Sequence, residues 1–139
     1  MMRQNKLTQL RGTLLGLITL LALLTMQNVS AASPGVVAYQ AERYPEAFRL
    51  LTSEAKGGDS EAQYLLGTLY LDGLGVKPSP KHAVSWLKKA IDNRHPVAAQ
   101  TLGKLYMSGM GLPMDVDKGI YYMGLADQFT PDEEEEECD

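Results

Sequence analysis

The chain of 139 residues has only one cysteine, one tryptophan and two histidines. A single cysteine excludes an internal disulfide and a cysteine-rich metal site. Lysine and arginine total 13 against 17 acidic residues, for a net charge of -4. This balance excludes broad nucleic-acid affinity, because phosphate contacts need a basic surplus. Hydrophobic residues make up 45% of the chain, which is typical of a globular protein and excludes wholesale disorder.

The sequence also lacks the motifs of catalytic and cofactor sites. It contains no G-x-S-x-G elbow, phosphate-binding glycine loop or H-E-x-x-H motif. His82 and His95 lie at predicted helix starts, where capping and surface roles suit them better than catalysis. No credible third group completes a Ser–His or Cys–His arrangement. We therefore predict that the chain is not an enzyme and needs no metal or cofactor.

The longest apolar run lies near the N-terminus, over residues 13–26. It follows a basic start without acidic residues and precedes a stretch of small residues. This order is typical of a secretory signal, and the run is shorter than the ~20 residues that a transmembrane helix needs. We predict a signal over residues 1–32, cleavage after Ala31 or Ala32, and export to the bacterial periplasm with only transient membrane contact. Secretion, or an inner-membrane anchor formed by an uncleaved signal, is the alternative.

The rest of the chain repeats itself with a period of 36 residues: LGTLYLDGLGV at 66–76 recurs as LGKLYMSGMGL at 102–112. Apolar and small residues recur every three or four positions, so each copy is predicted to form two helices. Glycines end each first helix, because glycine adopts the left-handed backbone of a helix exit without a steric penalty. We expect the same left-handed exit at Gly57 and Asn93, after the second helices.

The predicted fold is all-α, a short α/α superhelix (solenoid) of about two and a half helix-turn-helix repeats. Its predicted organisation is a secretory signal (1–32), leading half-repeat or cap helices (33–58), a first repeat (59–94), a second repeat (95–130) and an acidic tail (131–139). A glycine at one place in both first helices predicts close approach of a neighbouring helix. The residues predicted to hold the repeat together are Gly67, Tyr70, Gly73, Gly75, Trp86, Gly103, Tyr106, Gly109, Gly111 and Tyr122.

These residues resemble the Sel-one-like repeat (SLR) family, a relative of the tetratricopeptide repeat. The family pattern runs A-Q-x-x-L-G-x-x-Y-x-x-G-x-G-V, then an Asp cap, then A-x-x-W/Y and A-A, and the resemblance covers about residues 37–129. One departure is Gly119 in place of the helix-start alanine, which is expected to loosen the last helix. The residues that match, besides those of the preceding list, are Ala62, Gln63, Leu66, Val76, Ala83, Ala90, Ala98, Leu102, Asp115 and Ala126.

The resemblance implies that one face of each first helix lines a concave groove, where a partner binds. A groove two repeats wide suits a short peptide or a single helix of a partner protein. The alternative is that Tyr64, Leu71 and Met107 simply pack against adjacent helices. The candidate binding residues on this face are Glu61, Tyr64, Thr68, Leu71, Val97, Gln100, Lys104 and Met107.

Seven of the last eight residues are acidic, and they account for the whole net charge of -7 that residues 33–139 carry. We predict a disordered, solvated tail, because like charges repel. Weak cation binding or docking to a basic partner is the alternative. Cys138 lies in this tail, and whether it forms an intermolecular disulfide is open. Non-reducing gels of the wild type and of Cys138→Ser distinguish the two states.

The function that the resemblance implies is that of an exported adaptor that binds a protein partner in the cell envelope. A wall-associated protein that binds a glycan or peptide is one alternative. A self-associating structural factor is another, since a stable solenoid usually needs about three repeats. The two ends of so short an array are expected to expose apolar residues such as Phe48, or Tyr121 and Met123.

Overall fold

The computed structural model describes residues 32–130, and these form six α-helices. No β-strand occurs in this range, and none of its helices is long and apolar enough to cross a bilayer. The predicted signal, apart from Ala32, and the predicted acidic tail lie outside the described residues and stay predictions. The helices are α1 (Pro34–Gln40), α2 (Tyr44–Lys56), α3 (Ser60–Asp72), α4 (Pro80–Asp92), α5 (Pro96–Ser108) and α6 (Val116–Phe129).

Each helix packs mainly on its neighbour along the chain, most extensively α3 with α4 and α5 with α6. The starts of α3 and α5 are 36 residues apart, and so are the starts of α4 and α6. This arrangement confirms the predicted all-α solenoid of helix-turn-helix repeats with that period. The core consists of small alanines and large leucines, and the leucines that are fully buried are Leu51, Leu66, Leu69, Leu87 and Leu102.

Each first helix meets its second helix at a glycine. A methyl group added at Gly67 would lie 3.0 Å from Leu87 Cγ and 3.4 Å from the Ala83 carbonyl oxygen. At Gly103 it would lie 3.0 Å from the Gly119 carbonyl oxygen. Glycine costs about 1 kcal/mol relative to alanine inside a helix. That cost is offset here because the absent side chain lets the paired helices pack backbone against side chain, with many dispersion contacts.

The first helices end as predicted at Gly73 and Gly109, whose φ angles are 70° and 66°. The second glycine of each exit has a further role. A methyl group at Gly75 would lie 2.5 Å from the Tyr44 carbonyl carbon, at the start of α2. At Gly111 it would lie 2.6 Å from the ring of Pro80, at the start of α4. Each exit loop therefore rests on the second helix of the preceding repeat and joins the two repeats.

The left-handed exit that we expected at Gly57 and Asn93 lies one residue later, so that prediction is wrong in position. These two cap residues have φ angles of -72° and -91°. The positive values occur at Gly58 (96°) and Arg94 (60°). The reason is that the C-cap residue still has a negative φ angle, and the left-handed conformation is adopted only by the residue after it.

The last helix is continuous through Gly119. The glycine is buried, and a methyl group there would collide with Met107 Cγ. At the corresponding places the first repeat has Ala83 and Leu71. The departure from the family pattern therefore makes room for the methionine of α5. At the start of the same helix, Asp115 accepts hydrogen bonds from the side chain and amide of Lys118, and these lower the pKa of its carboxyl group.

The aromatic residues of the repeat pattern are half-buried at the contacts between helices. Tyr70 stacks on His82 with ring centres 5.1 Å apart, and Tyr106 stacks on Tyr122 at 5.8 Å. Trp86 packs against the core of the first repeat. Burial, followed by the neighbouring Tyr106, raises the pKa of Tyr122. These rings fill the space beside the small residues at the helix contacts.

Gly75→Ala is expected to destabilise the fold more than Gly58→Ala. Both residues have positive φ, so both variants incur the roughly 1–2 kcal/mol of a left-handed side-chain-bearing residue. At Gly58 nothing lies within 4 Å of the added methyl, whereas at Gly75 it meets the backbone of Tyr44. We expect a further loss of about 1–3 kcal/mol for Gly75→Ala, measured by urea unfolding. Equal losses would show that the loop does not need to approach α2.

Gly124→Ala is expected to raise the free energy of unfolding by up to about 1 kcal/mol, because the added methyl has no neighbour within 4 Å. Gly119→Ala, five residues earlier in the same helix, should instead lower it, since Met107 must move. Combining Gly119→Ala with Met107→Ala should relieve the collision. A double-mutant cycle on urea unfolding checks this, and strictly additive changes would contradict the compensation.

Candidate functional site

The predicted site residues Glu61 and Tyr64 join the two repeats through His95, the N-cap of α5. His95 Nε2 lies 2.9 Å from a Glu61 carboxylate oxygen, and the imidazole stacks on the Tyr64 ring at 4.8 Å. His95 Nδ1 accepts a hydrogen bond from the amide of Ala98 at 3.2 Å. Because Nδ1 is the acceptor, the network assigns the proton to Nε2, which donates to Glu61. The contact therefore sets how α3 and α5 lie side by side.

The other two predicted residues of α3 are also engaged by the fold. The Thr68 hydroxyl donates to the carbonyl oxygens of Tyr64 and Leu65, at 3.1 and 2.9 Å. Tyr39 of α1 lies nearby: burial raises its pKa, and Thr68 opposes that shift. Leu71 packs against the core of the second repeat. Tyr64 and Leu71 thus make the packing contacts of the alternative interpretation.

On α5 the predicted residues differ in exposure. Val97 is 42% exposed and Met107 is 44% exposed. Lys104 is exposed and Gln100 is half-buried. Met107 leans over Gly119 of α6, so part of its surface serves packing. The binding role of these four residues stays a prediction.

A cleft of about 370 Å³ opens between the C-terminal halves of α3 and α5. Leu71 and Leu105 form apolar walls, Met110 lies at the loop side, and Asp72 supplies a carboxylate. The remaining lining residues are Pro80 and Gly111. A cleft with apolar walls and one acid can receive an apolar side chain next to a basic or amide group. Of the candidate binding residues it includes only Leu71, and of the residues predicted to hold the repeat together it includes Gly111.

Sequence reasoning did not identify Asp72, Leu105 or Met110 as site residues. Leu105 follows the core periodicity of α5, and Met110 belongs to a loop that was interpreted only as a helix exit. The sequence signal for these residues is the recurrence of the second glycine in each exit loop, Gly75 and Gly111, because it indicates a close contact of the loop with another helix. Gly111 rests on Pro80 and so carries Met110 over the end of α3.

A second cleft, of about 350 Å³, lies around the loop between α3 and α4. Ser79 Oγ and His82 Nδ1 are 2.7 Å apart at its edge. Within the described residues no carboxylate is hydrogen-bonded to His82, whose ring stacks on Tyr70. The same part of the chain has no group of three His, Cys, Asp or Glu side chains placed to hold a metal ion.

Gln63, near the start of α3, links this helix to the ends of α2 and α4. Its side chain is buried, with 4% of its surface exposed. Nε2 donates to the Ala55 carbonyl oxygen at 3.1 Å, near the end of α2. Oε1 accepts from Asn93 Nδ2 at 2.9 Å, at the end of α4. One amide thus links both second helices to α3.

The family model for the Sel1 repeat, the Sel-one-like repeat named above, matches residues 60–95 and 96–126. The chain contains two Sel1 repeats. Sel1-repeat proteins are generally non-enzymatic scaffolds and typically mediate protein–protein interactions.

Three relatives illustrate the similarity of this Sel1-repeat chain to known proteins. It is 34% identical over 67 residues to the ERAD-associated E3 ubiquitin-protein ligase component HRD3A of Arabidopsis thaliana, over 48% of this chain and 10% of that protein. It is 32% identical over 83 residues to the Sel1-repeat-containing protein YjcO of Escherichia coli K12, over 57% of this chain and 36% of YjcO. The crystal structure of a Sel1 repeat protein from Oxalobacter formigenes superposes with a TM-score of 0.64 at 29% identity, over 68% of this chain and 39% of that one. The matched segment thus spans well under half of each relative.

Gln63→Met is expected to lower the free energy of unfolding by about 1–3 kcal/mol, because it removes the side-chain hydrogen bonds to the Ala55 carbonyl oxygen and from Asn93 Nδ2. Gln100→Met is the matched control, because Gln100 is half-buried on α5 and takes no part in the hydrogen bonds of Gln63. This substitution should change the free energy of unfolding by less than about 0.5 kcal/mol. Urea unfolding of both variants checks the difference. Similar values for the two would contradict the linking role of Gln63.

Proposed function

We propose that the chain is an exported adaptor of the bacterial cell envelope, and that the cleft between α3 and α5 holds a short peptide or one helix of a partner protein. The observation that carries the proposal is the cleft itself. It lies between consecutive first helices, it has apolar walls, and Asp72 stands at its side. These are the features by which a groove binds an amphipathic segment.

The contacts that a partner makes follow from the lining. Leu71 and Leu105 form apolar walls that are held in place, because both also pack in the core of the second repeat. Met110 is 68% exposed and can adapt its shape to an incoming side chain. Asp72 attracts a lysine, an arginine or an amide on the segment. Val97 and Lys104 extend the contact along α5.

The adaptor role is supported by the family, whose members typically mediate protein–protein interactions. The plant relative is by its name one component of a larger ligase. An adaptor needs a folded scaffold and a surface for a partner, and the cleft between α3 and α5 is the candidate for that surface. The envelope location rests on the predicted signal of residues 1–32. It requires that the processed protein begin at Ala32 or Ser33, which the intact mass of the protein from a periplasmic fraction measures.

Met110 and Met114 offer a matched pair for testing the cleft. Both are 68% exposed and lie in the same loop, but only Met110 lines the cleft. A photo-crosslinking residue at Met110 should capture a partner in envelope preparations, whereas one at Met114 should not. With that partner purified, Met110→Asp should weaken binding at least tenfold, or ~1.4 kcal/mol.

Met114→Asp should leave the affinity unchanged within about twofold, because its side chain is outside the contact. Equal weakening by both variants, or capture only at Met114, would contradict the proposed cleft. Lys104→Glu probes the neighbouring face of α5, and undiminished binding of this variant would remove Lys104 from the contact. A precursor retained in the cytoplasm would contradict the export part of the proposal without touching the cleft.

A further inference from the structure

The two ends of the described solenoid differ in how well they are covered. On the last helix, Val116, Ile120 and Tyr121 are 48%, 60% and 63% exposed. At the other end, α1 packs over the first core, and Val37 is the large apolar side chain that it exposes, at 46%. The apolar residues expected at the ends are therefore concentrated on α6. Met123 is half-buried there against Gly103.

Phe48, the residue named for the opposite end, is half-buried as well. Its ring meets Tyr70 edge to face, with ring centres 5.5 Å apart. Among the described residues, the N-terminal end of the array therefore exposes less apolar surface than α6 does.

The repeat offset shows what the exposed face of α6 corresponds to. Moving back by 36 residues takes Val116 to Pro80 and Ile120 to Val84, both on α4. Val84 packs against the core of the following repeat, and Pro80 carries the loop of Gly111. Within the chain, these α4 positions receive α5 and its exit loop. The same positions on α6 are exposed, so α6 presents a second copy of an interface that the protein already uses.

The face of α6 is also flatter than that of α4. Gly124 takes the place of Lys88, one helical turn after Ile120, and nothing lies within 4 Å of a methyl group added there. The replacement removes a charge and a long side chain from the edge of the apolar face. A helix laid on Ile120 can therefore approach the backbone of α6 closely.

The charges around this face distinguish between two possible occupants, a second copy of the chain and a basic helix of another protein. Asp117 and Asp127 are exposed on either side of Ile120 and Gly124 along the helix. Lys118 is already paired with Asp115 at 2.7 Å. Beyond the helix the sequence continues with seven acids in residues 132–139. A second copy would place acids against acids, whereas a basic helix would complement them.

We propose that the face formed by Val116, Ile120 and Gly124 docks an amphipathic helix of another protein, with lysine or arginine at both ends of its apolar stripe. The helix lies on α6 as α5 lies on α4, and so continues the solenoid by one element. This surface is separate from the cleft between α3 and α5. A chain with both surfaces occupied bridges two partners.

The test uses the isotope-labelled full chain and a synthetic helical peptide. The peptide has the sequence of α5, Pro96–Ser108, with lysines added at both ends. A matched control peptide carries glutamates in place of these lysines. In heteronuclear NMR titrations at low salt, the lysine peptide should shift amide signals around Ile120 and Gly124 and saturate. The glutamate peptide should bind at least about tenfold more weakly, because it opposes Asp117 and Asp127.

Ile120→Asp and Val116→Asp should each weaken binding of the lysine peptide at least about tenfold. Both positions are exposed, so both variants are expected to fold. Val37→Asp, at the covered end, and Met110→Asp, in the cleft, should leave binding within about twofold of the wild type. If Met110→Asp still binds the lysine peptide, the peptide is bound at α6 and not in the cleft of the proposed function.

Three results would overturn the inference. The first is a set of shifts confined to α3 and α5. The second is equal binding of the lysine and glutamate peptides. The third is sedimentation of the chain alone as a dimer that Ile120→Asp dissociates, which would make a second copy the occupant.

Discussion

The close approach of paired helices at Gly67 and Gly103 is the constraint from which the rest of the fold follows. Where a side chain is missing, the second helix rests directly on the first, and Leu87 or Met123 fills the remaining space. This spacing places the exit loops so that Gly75 and Gly111 reach the preceding repeat. The cleft between α3 and α5 results from that second contact, because the loop of Gly111 closes one side of it.

The two surfaces proposed for binding depend on contacts inside the fold. Gln63 links α2 and α4 to α3, and His95 links α5 to α3, so these two side chains hold in place the helices that form the cleft. The Met107 and Gly119 pair shows the same dependence. The longer, unbranched side chain of Met107 on α5 occupies space that an alanine on α6 would fill, so the two helices pack together although these residue types differ from the first repeat.

The sequence predicts well those features that depend on residues close together in the chain, namely the helices, their buried faces and the ends of the first helices. The periodicity of Leu66, Leu69 and Tyr70 identifies a helix and its buried face, and Gly73 identifies its end, because both are local properties. It misplaced the left-handed residue after the second helices by one position. Neither the adjacent glycines 57 and 58 nor the pair Asn93 and Arg94 reveals which residue is the cap. The cleft was missed for a different reason: it forms where a loop rests on a distant helix, and helical periodicity does not report such contacts.

The chain-like order of the contacts has a consequence for motion. α6 packs extensively on α5 alone, whereas α3, α4 and α5 each lie between two neighbours. In an array of this kind, local opening at an end breaks one interface, and opening in the middle breaks two. Amide hydrogens of α6 should therefore exchange with solvent sooner than those of α3 or α4. A helix resting on α6 would turn the end of the array into its interior, and the slow-exchanging region would grow by one helix.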